Sequence, residues 1–327
     1  MLVLATGLNV PDDLLYLDTD GTVLLGEHGS GRIAKVGGAS RLTRLPQMVP
    51  EAEGIAMVGN TIFVADQLNA RIVALTATGV RTVFQLQPVA SGENLDGIAS
   101  NGTQLIVPDS AHGTVLFIDG SGHLLRRVSG FSRPAGAWVD ASRGVTRYLI
   151  ADENASAIFS LGDTGGATKL AGNLPGVDDV VRDARGHVLA ILPAAGRLRD
   201  VSAGRDVASG LLNPQGLGFD GARNILVTES DRGRLDLVVT TFAVQVPAPA
   251  VRLTPRQGVC LGILRAGGFS QALSVEEIIG ATYEAQPGNS SSFEVVPGPC
   301  AAGSTCTVTV ILGSASGREF AYFTYRD

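Results

Sequence analysis

Short apolar runs separated by turn residues fill the chain from its start to about residue 240. One unit shows the pattern clearly, with runs at Gly54–Val58, Thr61–Ala65, Arg71–Leu75 and Arg81–Leu86. Valine, isoleucine and phenylalanine dominate these runs and glycine-containing turns divide them, which is typical of β-strands joined by tight connections. No part of this region has the period of a long helix. The pattern therefore predicts units of four short strands.

The four-strand unit repeats along the chain. Each copy begins where a polar turn meets an apolar run, and these six start positions recur at intervals of 37 to 43 residues: Asp13, Gly54, Gly97, Gly136, Asp179 and Gly216. A period of about 40 to 45 residues with four strands is typical of a β-propeller blade. We therefore predict an all-β, six-bladed propeller. A seventh blade is the alternative, because Gln257-Gly258-Val259 resembles Gln215-Gly216-Leu217, but no second-strand pattern follows it.

The first and last copies are incomplete in complementary ways. The segment 4–13 aligns without a gap to Val207–Gly216, so the chain opens partway through a unit. The sixth copy has three strands and then continues to Pro247 without a fourth. We expect Leu2–Thr6 to supply that strand by pairing near Leu235–Val239. This closure would leave no open sheet edge.

The propeller accounts for residues 1–243 and leaves a second domain. Residues 244–250 include Val246-Pro247-Ala248-Pro249-Ala250, and such alternating proline favours an extended linker. Residues 251–327 contain short apolar runs separated by glycine, serine and proline. They predict a small β-sandwich, immunoglobulin-like in type.

Composition excludes several classes of protein. The formal net charge is −6, and no stripe of lysine and arginine is present to neutralise phosphates, so we expect no nucleic-acid partner. The sequence contains no run of about 18 apolar residues, so it predicts no membrane-spanning helix. Met1 leads directly into a strand without the basic region or cleavage site of a signal peptide. If the protein is exported, we expect its leader to have been removed.

The cysteines indicate the compartment. Cys300 and Cys306 bracket a short Gly/Ser turn, which predicts a disulfide that would close in an oxidising compartment. Metal binding is the competing interpretation, but no second Cys or His pair is nearby to complete a zinc site. Cys260 is expected to be a small buried apolar residue. The pair favours a periplasmic or extracellular location.

Acidic residues end the second strand of five of the six units: Glu27, Asp66, Asp109, Asp152 and Glu229. In the fifth unit Leu192 takes this position. We expect these carboxylates to accept hydrogen bonds from turn amides and to face basic residues across the hairpin, a local role that needs no ligand. The loop of the fifth blade is then the natural place for an altered contact surface.

The segments Glu53–Met57 and Val64–Ile72 together resemble the NHL repeat, and Tyr148–Ile158 is a weaker copy. This resemblance covers residues 1 to about 243. It implies the propeller fold, but NHL-type propellers include binding scaffolds, lyases and lactone hydrolases, so it does not imply one activity.

The residues immediately before the start positions are expected to ring the mouth of the central channel: Asp12, Glu53, Asp96, Ala135, Asp178 and Gln215. Carboxylates about 8 Å apart would repel by roughly 2 kcal/mol per pair. Such a ring either raises the pKa values of its acids or holds a cation. Because the candidate ligands are oxygens, with Asn94 and Gln215 nearby to bind a ligand, Ca²⁺ or Mg²⁺ fits better than zinc. In the alternative, the acids cap strand ends around a water-filled channel.

Glu53-Gly54 and Val177-Asp178 resemble metal-binding positions of the senescence-marker/gluconolactonase propellers, which hydrolyse lactones around one divalent ion. That family supplies Glu, two Asn and Asp, whereas this chain has Asp96 at the third-blade position and Ala135 at the fourth. The resemblance implies that the ion polarises a carbonyl or activates water.

In that hydrolase, an unligated Asp178 or Asp12 would act as general base, with His28 and His112 as auxiliary bases. Both histidines could instead be exposed loop residues. No G-x-S-x-G motif indicates a serine nucleophile. The glycine-rich stretches are turns without a following helix, so we expect no nucleotide, flavin or haem.

The sequence favours an exported binding module for a protein, a glycan or a small ligand. Its expected surface, the mouth face, carries the loops into the innermost strands and the loops between second and third strands. A divalent cation at the channel mouth would belong to it. A metal-dependent hydrolase or lyase using the same acids is the alternative.

Overall fold

A computed structural model describes residues 2–17, 21–37, 42–89, 94–141, 145–183, 186–220 and 224–238, and the backbone of six strands between Val251 and Arg326. The first seven ranges form six four-stranded antiparallel sheets, which are the six predicted blades. Blade one contains β2 (Pro11–Leu17), β3 (Thr22–Glu27), β4 (Arg32–Val36) and β5 (Leu42–Met48). Blade two contains β6 (Ala52–Val58), β7 (Thr61–Asp66), β8 (Arg71–Leu75) and β9 (Val80–Gln85).

The next three blades have the same order. Blade three contains β10 (Ala99–Ser100), β11 (Gln104–Asp109), β12 (Thr114–Asp119) and β13 (Leu124–Ser129). Blade four contains β14 (Pro134–Asp140), β15 (Arg147–Asp152), β16 (Ala157–Leu161) and β17 (Thr168–Gly172). Blade five contains β18 (Val180–Arg182), β19 (Val188–Leu192), β20 (Arg197–Asp200) and β21 (Arg205–Ser209). Short 3₁₀ turns follow β11 and β19, at Ser110–His112 and Pro193–Ala195.

Blade six is completed by the start of the chain. It contains β22 (Pro214–Phe219), β23 (Ile225–Glu229), β24 (Arg234–Val238) and β1 (Leu2–Thr6). β1 pairs antiparallel with β24, with Leu2 opposite Leu237 and Thr6 opposite Arg234. The predicted closure is therefore confirmed.

Side-chain hydroxyls add a second set of contacts between blades six and one, where the ring closes. The Thr228 hydroxyl donates to the backbone carbonyl of Asp12 at 2.6 Å and accepts the Gly216 N–H at 2.7 Å. The Ser230 hydroxyl donates to the carbonyl of Pro11. Blade six therefore fixes the backbone of Asp12 in blade one.

The core lies between the blades. Every residue of β3, β19 and β23 is buried, because neighbouring blades cover both faces of each sheet. The outer strands β5 and β17 carry mainly exposed or half-buried residues. This gradient explains why second strands are continuous apolar runs and fourth strands are the most polar.

Three of the four glycine start positions, Gly54, Gly136 and Gly216, are required by the close approach of the inner strands. A Cβ atom on Gly54 would lie 2.3 Å from the Ile98 nitrogen, and the Gly54 N–H donates to the Asp96 carbonyl at 3.1 Å. The two aspartates at start positions bridge blades instead. Asp13 accepts the Ile55 N–H at 3.3 Å, and Asp179 accepts the Leu217 N–H at 2.8 Å.

The C-terminal strands form a separate six-stranded sheet. Its order is β26-β25-β27-β28-β29-β30. The strands are β25 (Val251–Pro255), β26 (Ile263–Leu264), β27 (Ala281–Ala285), β28 (Asn289–Pro297), β29 (Thr305–Ser314) and β30 (Gly317–Arg326). Cys306 lies on β29, whereas Cys260, Cys300 and the linker 244–250 fall outside the described residues. The sandwich, the domain boundaries and the disulfide therefore stay predictions.

Candidate functional site

One cavity of about 450 Å³ opens at the mouth face, and residues in equivalent positions of the blades line it. The first ring holds residues immediately before start positions: Asp12, Glu53, Asp96, Asp178 and Gln215. The second ring holds residues directly after a second strand: His28, Gln67, Glu153, Pro193 and Ser230. The third ring holds residues two before first-ring positions: Val10, Arg133, Gly176 and Asn213. We call this space the mouth cavity.

Backbone hydrogen bonds join the second ring to the third. The His28 N–H donates to the Val10 carbonyl at 3.0 Å, and the Ser230 N–H donates to the Asn213 carbonyl at 3.0 Å. Val10 has a φ of 50°, in the left-handed region where a β-branched residue is strained. Such strain persists only where the surrounding structure holds it, and here it lies at the rim of the cavity.

Three of the predicted ligands form a compact group. Oxygen atoms of Asp12, Glu53 and Asp96 all lie within 4.8 Å of one another. The three residues are only 9%, 5% and 9% exposed, respectively. Burial, followed by the negative charge of the neighbouring carboxylates, raises the pKa values of Asp12 and Glu53 well above their usual range. A bound cation would remove the repulsion that this arrangement creates.

Asp178 also lines the mouth cavity but is not part of the compact group. Burial raises its pKa first, and the charges of Asp96 and Asp12 raise it further. The three grouped acids come from consecutive blades one, two and three. Asp178 comes from blade five, between the blades whose first-ring residues are Ala135 and Gln215. Asp178 is therefore an additional acid of the cavity, outside the compact group.

The donor atoms of the compact group fit a hard divalent cation. They are all carboxylate oxygens, which Ca²⁺ and Mg²⁺ prefer. His28 Nδ1 lies 2.5 Å from Glu53 Oε1 and so orients that carboxylate from outside the group. Outer contacts of this kind position ligands in metal sites.

The other predicted site residues occupy different places. Gln215 lines the mouth cavity and donates to Asn213 Oδ1 at 3.0 Å. Asn94 is buried away from the cavity lining, where it accepts the Val89 N–H at 2.7 Å and donates to the Gln67 carbonyl at 3.1 Å. Its described contacts hold the loop before Asp96.

The two candidate histidines also separate. His28 lines the mouth cavity, whereas His112 is not among its lining residues. His112 Nδ1 lies 2.7 Å from Asp109 Oδ1, so it pairs with the acid that ends its own strand. Ala135 is completely buried, and blade four contributes no side chain from the first ring.

The acids at the ends of the second strands have the expected local contacts. Asp66 accepts from Arg71 Nε at 2.6 Å across its hairpin. Asp152 accepts the N–H groups of Ser132 and Arg133 at 2.7 and 2.9 Å. Glu27 differs from this pattern, because its ion-pair partner is Arg44 on the outer strand β5. These carboxylates therefore shape the loops, and the residues that follow four of the five, all but Asp109, line the cavity.

The sequence interpretation missed Arg133 and Glu153. They form an ion pair in the mouth cavity, and Arg133 Nη2 lies 3.9 Å from Asp96 Oδ2. A signal for both exists in the repeat. Arg133 stands two residues before a first-ring position, as Val10 does, and Glu153 directly follows a second strand, as His28 does.

Solved structures share this fold. A gluconolactonase from Xanthomonas campestris is 12% identical over 71% of this chain and 86% of its own, with a TM-score of 0.58. Regucalcin from Agrobacterium tumefaciens, a calcium-binding protein, is 14% identical over 72% and 92%, with a TM-score of 0.56. Virginiamycin B lyase from Staphylococcus aureus is 13% identical over 96% and 93%, with a TM-score of 0.51. The chain matches no protein-family model and no curated protein sequence. These likenesses show the β-propeller fold, and the six four-stranded sheets of the structure give its blade number.

Among the described residues, no helix is long and apolar enough to cross a membrane.

Proposed function

We propose that the mouth cavity binds one divalent cation, Ca²⁺ or Mg²⁺, through Asp12, Glu53 and Asp96, and binds a small oxygen-bearing ligand beside it. The observation that carries this proposal is the compact group of three nearly buried carboxylates in the lining of a cavity. Buried like charges are costly unless a cation or protons neutralise them. The calcium-binding regucalcin of the same fold supports the cation.

The shape of the site favours a small ligand over a protein surface. A concave space of about 450 Å³ falls in the range of small-molecule pockets, whereas protein interfaces are broad. We therefore narrow the expected partner from a protein, a glycan or a small molecule to a small molecule or a single sugar unit.

We propose that the protein is located in the periplasm or outside the cell, because the Cys300 and Cys306 pair is of the kind that forms a disulfide in an oxidising compartment.

We expect calorimetric titration to show one cation site in the wild-type protein. Glu53→Gln should weaken it by about tenfold or more, because one charged ligand is lost. The affinity should also rise with pH above the ordinary carboxyl range of about 4, because the raised pKa values of Asp12 and Glu53 keep protons bound there and the cation must displace them.

Asp206→Asn is the matched control for this titration, since Asp206 pairs with Arg197 and Arg199 on the outside of blade five. It should leave the affinity unchanged. Absence of binding with both Ca²⁺ and Mg²⁺, or equal affinity in Glu53→Gln, would contradict the cation site.

Hydrolysis of a cyclic ester is a second candidate function. The contact between His28 and Glu53 favours it, because it fixes a titratable imidazole at the rim of the mouth cavity. Asp178 is a second proton-transfer group there, since burial and the charges of Asp96 and Asp12 raise its pKa well above that of an ordinary aspartate. A bound cation would supply polarisation of the ester carbonyl. The gluconolactonase of the same fold supports this candidate.

We expect the hydrolase, if this candidate is right, to open simple lactones when Ca²⁺, Mg²⁺ or Mn²⁺ is added. His28→Asn should then lower kcat/KM by about 100-fold, a typical loss for a general acid or base. His123→Asn is the control, because His123 is exposed in a turn on the opposite face. If no lactone is hydrolysed with any of these cations, the hydrolase candidate is wrong and the binding proposal is unaffected.

A further inference from the structure

We propose that Gln67 is a positioning residue of the cation site, which ties together the loops that carry Glu53 and Asp96 and so sets the distance between these two carboxylates. This inference rests on the proposed function and adds a residue that acts through the ligands. Gln67 directly follows the second strand of blade two and lines the mouth cavity. Its contacts reach the first-ring loops of two neighbouring blades.

Gln67 holds the segment that leads into Asp96. Its side-chain Nε2 donates to the Leu95 carbonyl at 2.8 Å. Its backbone carbonyl accepts the side-chain amide of Asn94 at 3.1 Å. Leu95 is completely buried and packs in the core between blades two and three. The chain therefore enters Asp96 along a path that Gln67 and the core hold in place.

Both peptide groups that flank the Asp96 Cα atom are bound to blade two. Gln67 binds the carbonyl of the peptide group before it, and the Gly54 N–H donates at 3.1 Å to the carbonyl of the peptide group after it. A peptide group is planar, so a bond to its carbonyl restrains the orientation of the whole group. Together these two bonds set the direction in which the Asp96 side chain leaves the backbone.

Gln67 also contacts the loop that carries Glu53. Its backbone N–H donates to the Glu51 carbonyl at 3.2 Å, two residues before Glu53. Glu51 has a φ of 47°, in the left-handed region, and such a conformation persists only where neighbouring contacts hold it. One residue thus joins both loops, and carboxylate oxygens of Glu53 and Asp96 lie within 4.8 Å of each other.

The other two positions of the compact group are held in an equivalent way. The Ser230 hydroxyl of blade six donates to the Pro11 carbonyl, directly before Asp12 in blade one. His28 of blade one contacts the Glu53 carboxylate of blade two. Each grouped acid is therefore held by the residue that follows the second strand of the preceding blade.

The remaining acid of the first ring lacks this kind of support. The residue after the second strand of blade four, which precedes Asp178 around the ring, is Glu153. Glu153 is paired with an arginine, and an ionised carboxylate has no hydrogen to donate to a carbonyl. The support therefore coincides with the compact group, from which Asp178 is absent.

The test is titration of the full chain with Ca²⁺, and separately with Mg²⁺, using Gln67→Met. This variant keeps the length of the side chain and removes the N–H that binds Leu95. We expect the affinity for the more tightly bound ion to fall about fivefold, the change that corresponds to loss of one ordinary hydrogen bond.

Ser110→Ala is the matched control. The buried Ser110 hydroxyl of blade three donates to the Pro134 carbonyl at 2.7 Å in the same way, but the next residue is Ala135, which has no carboxylate. Both variants should lower the unfolding temperature of the cation-free protein, whereas only Gln67→Met should lower the cation affinity.

A double-mutant cycle separates positioning from a general loss of structure. Asp96→Asn should weaken the cation site by itself, because one charged ligand is lost. In that background Gln67→Met should change the affinity less than about twofold, since the ligand that it positions is already impaired. An equal effect of Gln67→Met in both backgrounds would show that Gln67 does not act through Asp96.

The titrations distinguish failure of this inference from failure of the cation site. If the wild type binds neither Ca²⁺ nor Mg²⁺, the proposed function is wrong. If the wild type binds an ion and Gln67→Met binds it equally well, the cation site stands and the role of Gln67 is wrong. That role is also wrong if Ser110→Ala lowers the affinity as much as Gln67→Met does.

Discussion

Removing residues 1–8 should cost the propeller most of its stability. The deleted segment includes β1, which pairs with β24, and it buries Leu4, Ala5 and Leu8 in the core between blades. Burial of each leucine contributes about 1.5 to 3 kcal/mol. Loss of two leucines, one alanine and the strand pairing should therefore remove about 5 kcal/mol or more, which is comparable with the total stability of many domains.

Urea unfolding followed by the fluorescence of Trp138 would measure this loss. Trp138 is the single tryptophan and packs edge-to-face on Phe219 of blade six, so it reports on the blade that is opened. Val3→Thr is the control, because Val3 is exposed on the same strand. A truncated protein with the unfolding midpoint of the wild type would show that the closure adds nothing to stability.

Gly54→Ala should damage both the fold and the proposed cation site. The added methyl group would lie 2.3 Å from the Ile98 nitrogen and 2.7 Å from the Asp96 carbonyl oxygen, both backbone atoms that cannot rotate away. Overpacking of this kind costs about 1 to 3 kcal/mol. The strands can separate only by moving Asp96, so we expect the affinity for Ca²⁺ to fall by about tenfold as well.

Gly79→Ala tests whether this effect is local. A Cβ atom on Gly79 would meet nothing within 4 Å, and the residue is remote from the mouth cavity. It should leave both thermal unfolding and Ca²⁺ titration unchanged. If Gly54→Ala unfolds at the wild-type temperature and binds Ca²⁺ normally, the close approach of the inner strands does not position Asp96.

The sequence predicts the propeller well because its repeat has a physical cause. Glycine recurs at the start positions where inner strands approach closely, and apolar runs recur where neighbouring blades cover a second strand. The closure follows from the same pattern, since the sixth unit lacks the strand that Leu2–Thr6 provides. The C-terminal residues carry no comparable repeat, and their predicted sandwich still awaits a test.

The candidate site is predicted only in part. The repeat predicts that Asp12, Glu53 and Asp96 occupy equivalent positions at the channel mouth, and the structure brings them together. Only the order of the blades around the ring shows that these three are neighbours. Asn94 is two residues from Asp96 in sequence, yet its side chain turns into the loop and binds backbone groups. Arg133 is not predicted, because the residues before the start positions form only one of the three rings that line the cavity.

The order of synthesis sets when this site can be finished. β1 leaves the ribosome roughly 230 residues before its partner strand β24, so at about 5 to 20 residues per second it waits on the order of 10 to 50 seconds. Leu4 and Leu8 are unburied apolar surface during that interval, which is what chaperones bind. All three carboxylates of the compact group exist once residue 96 has been made. The Thr228 hydroxyl reaches the Asp12 carbonyl only when the last blade is made, so the proposed cation site is completed with that blade.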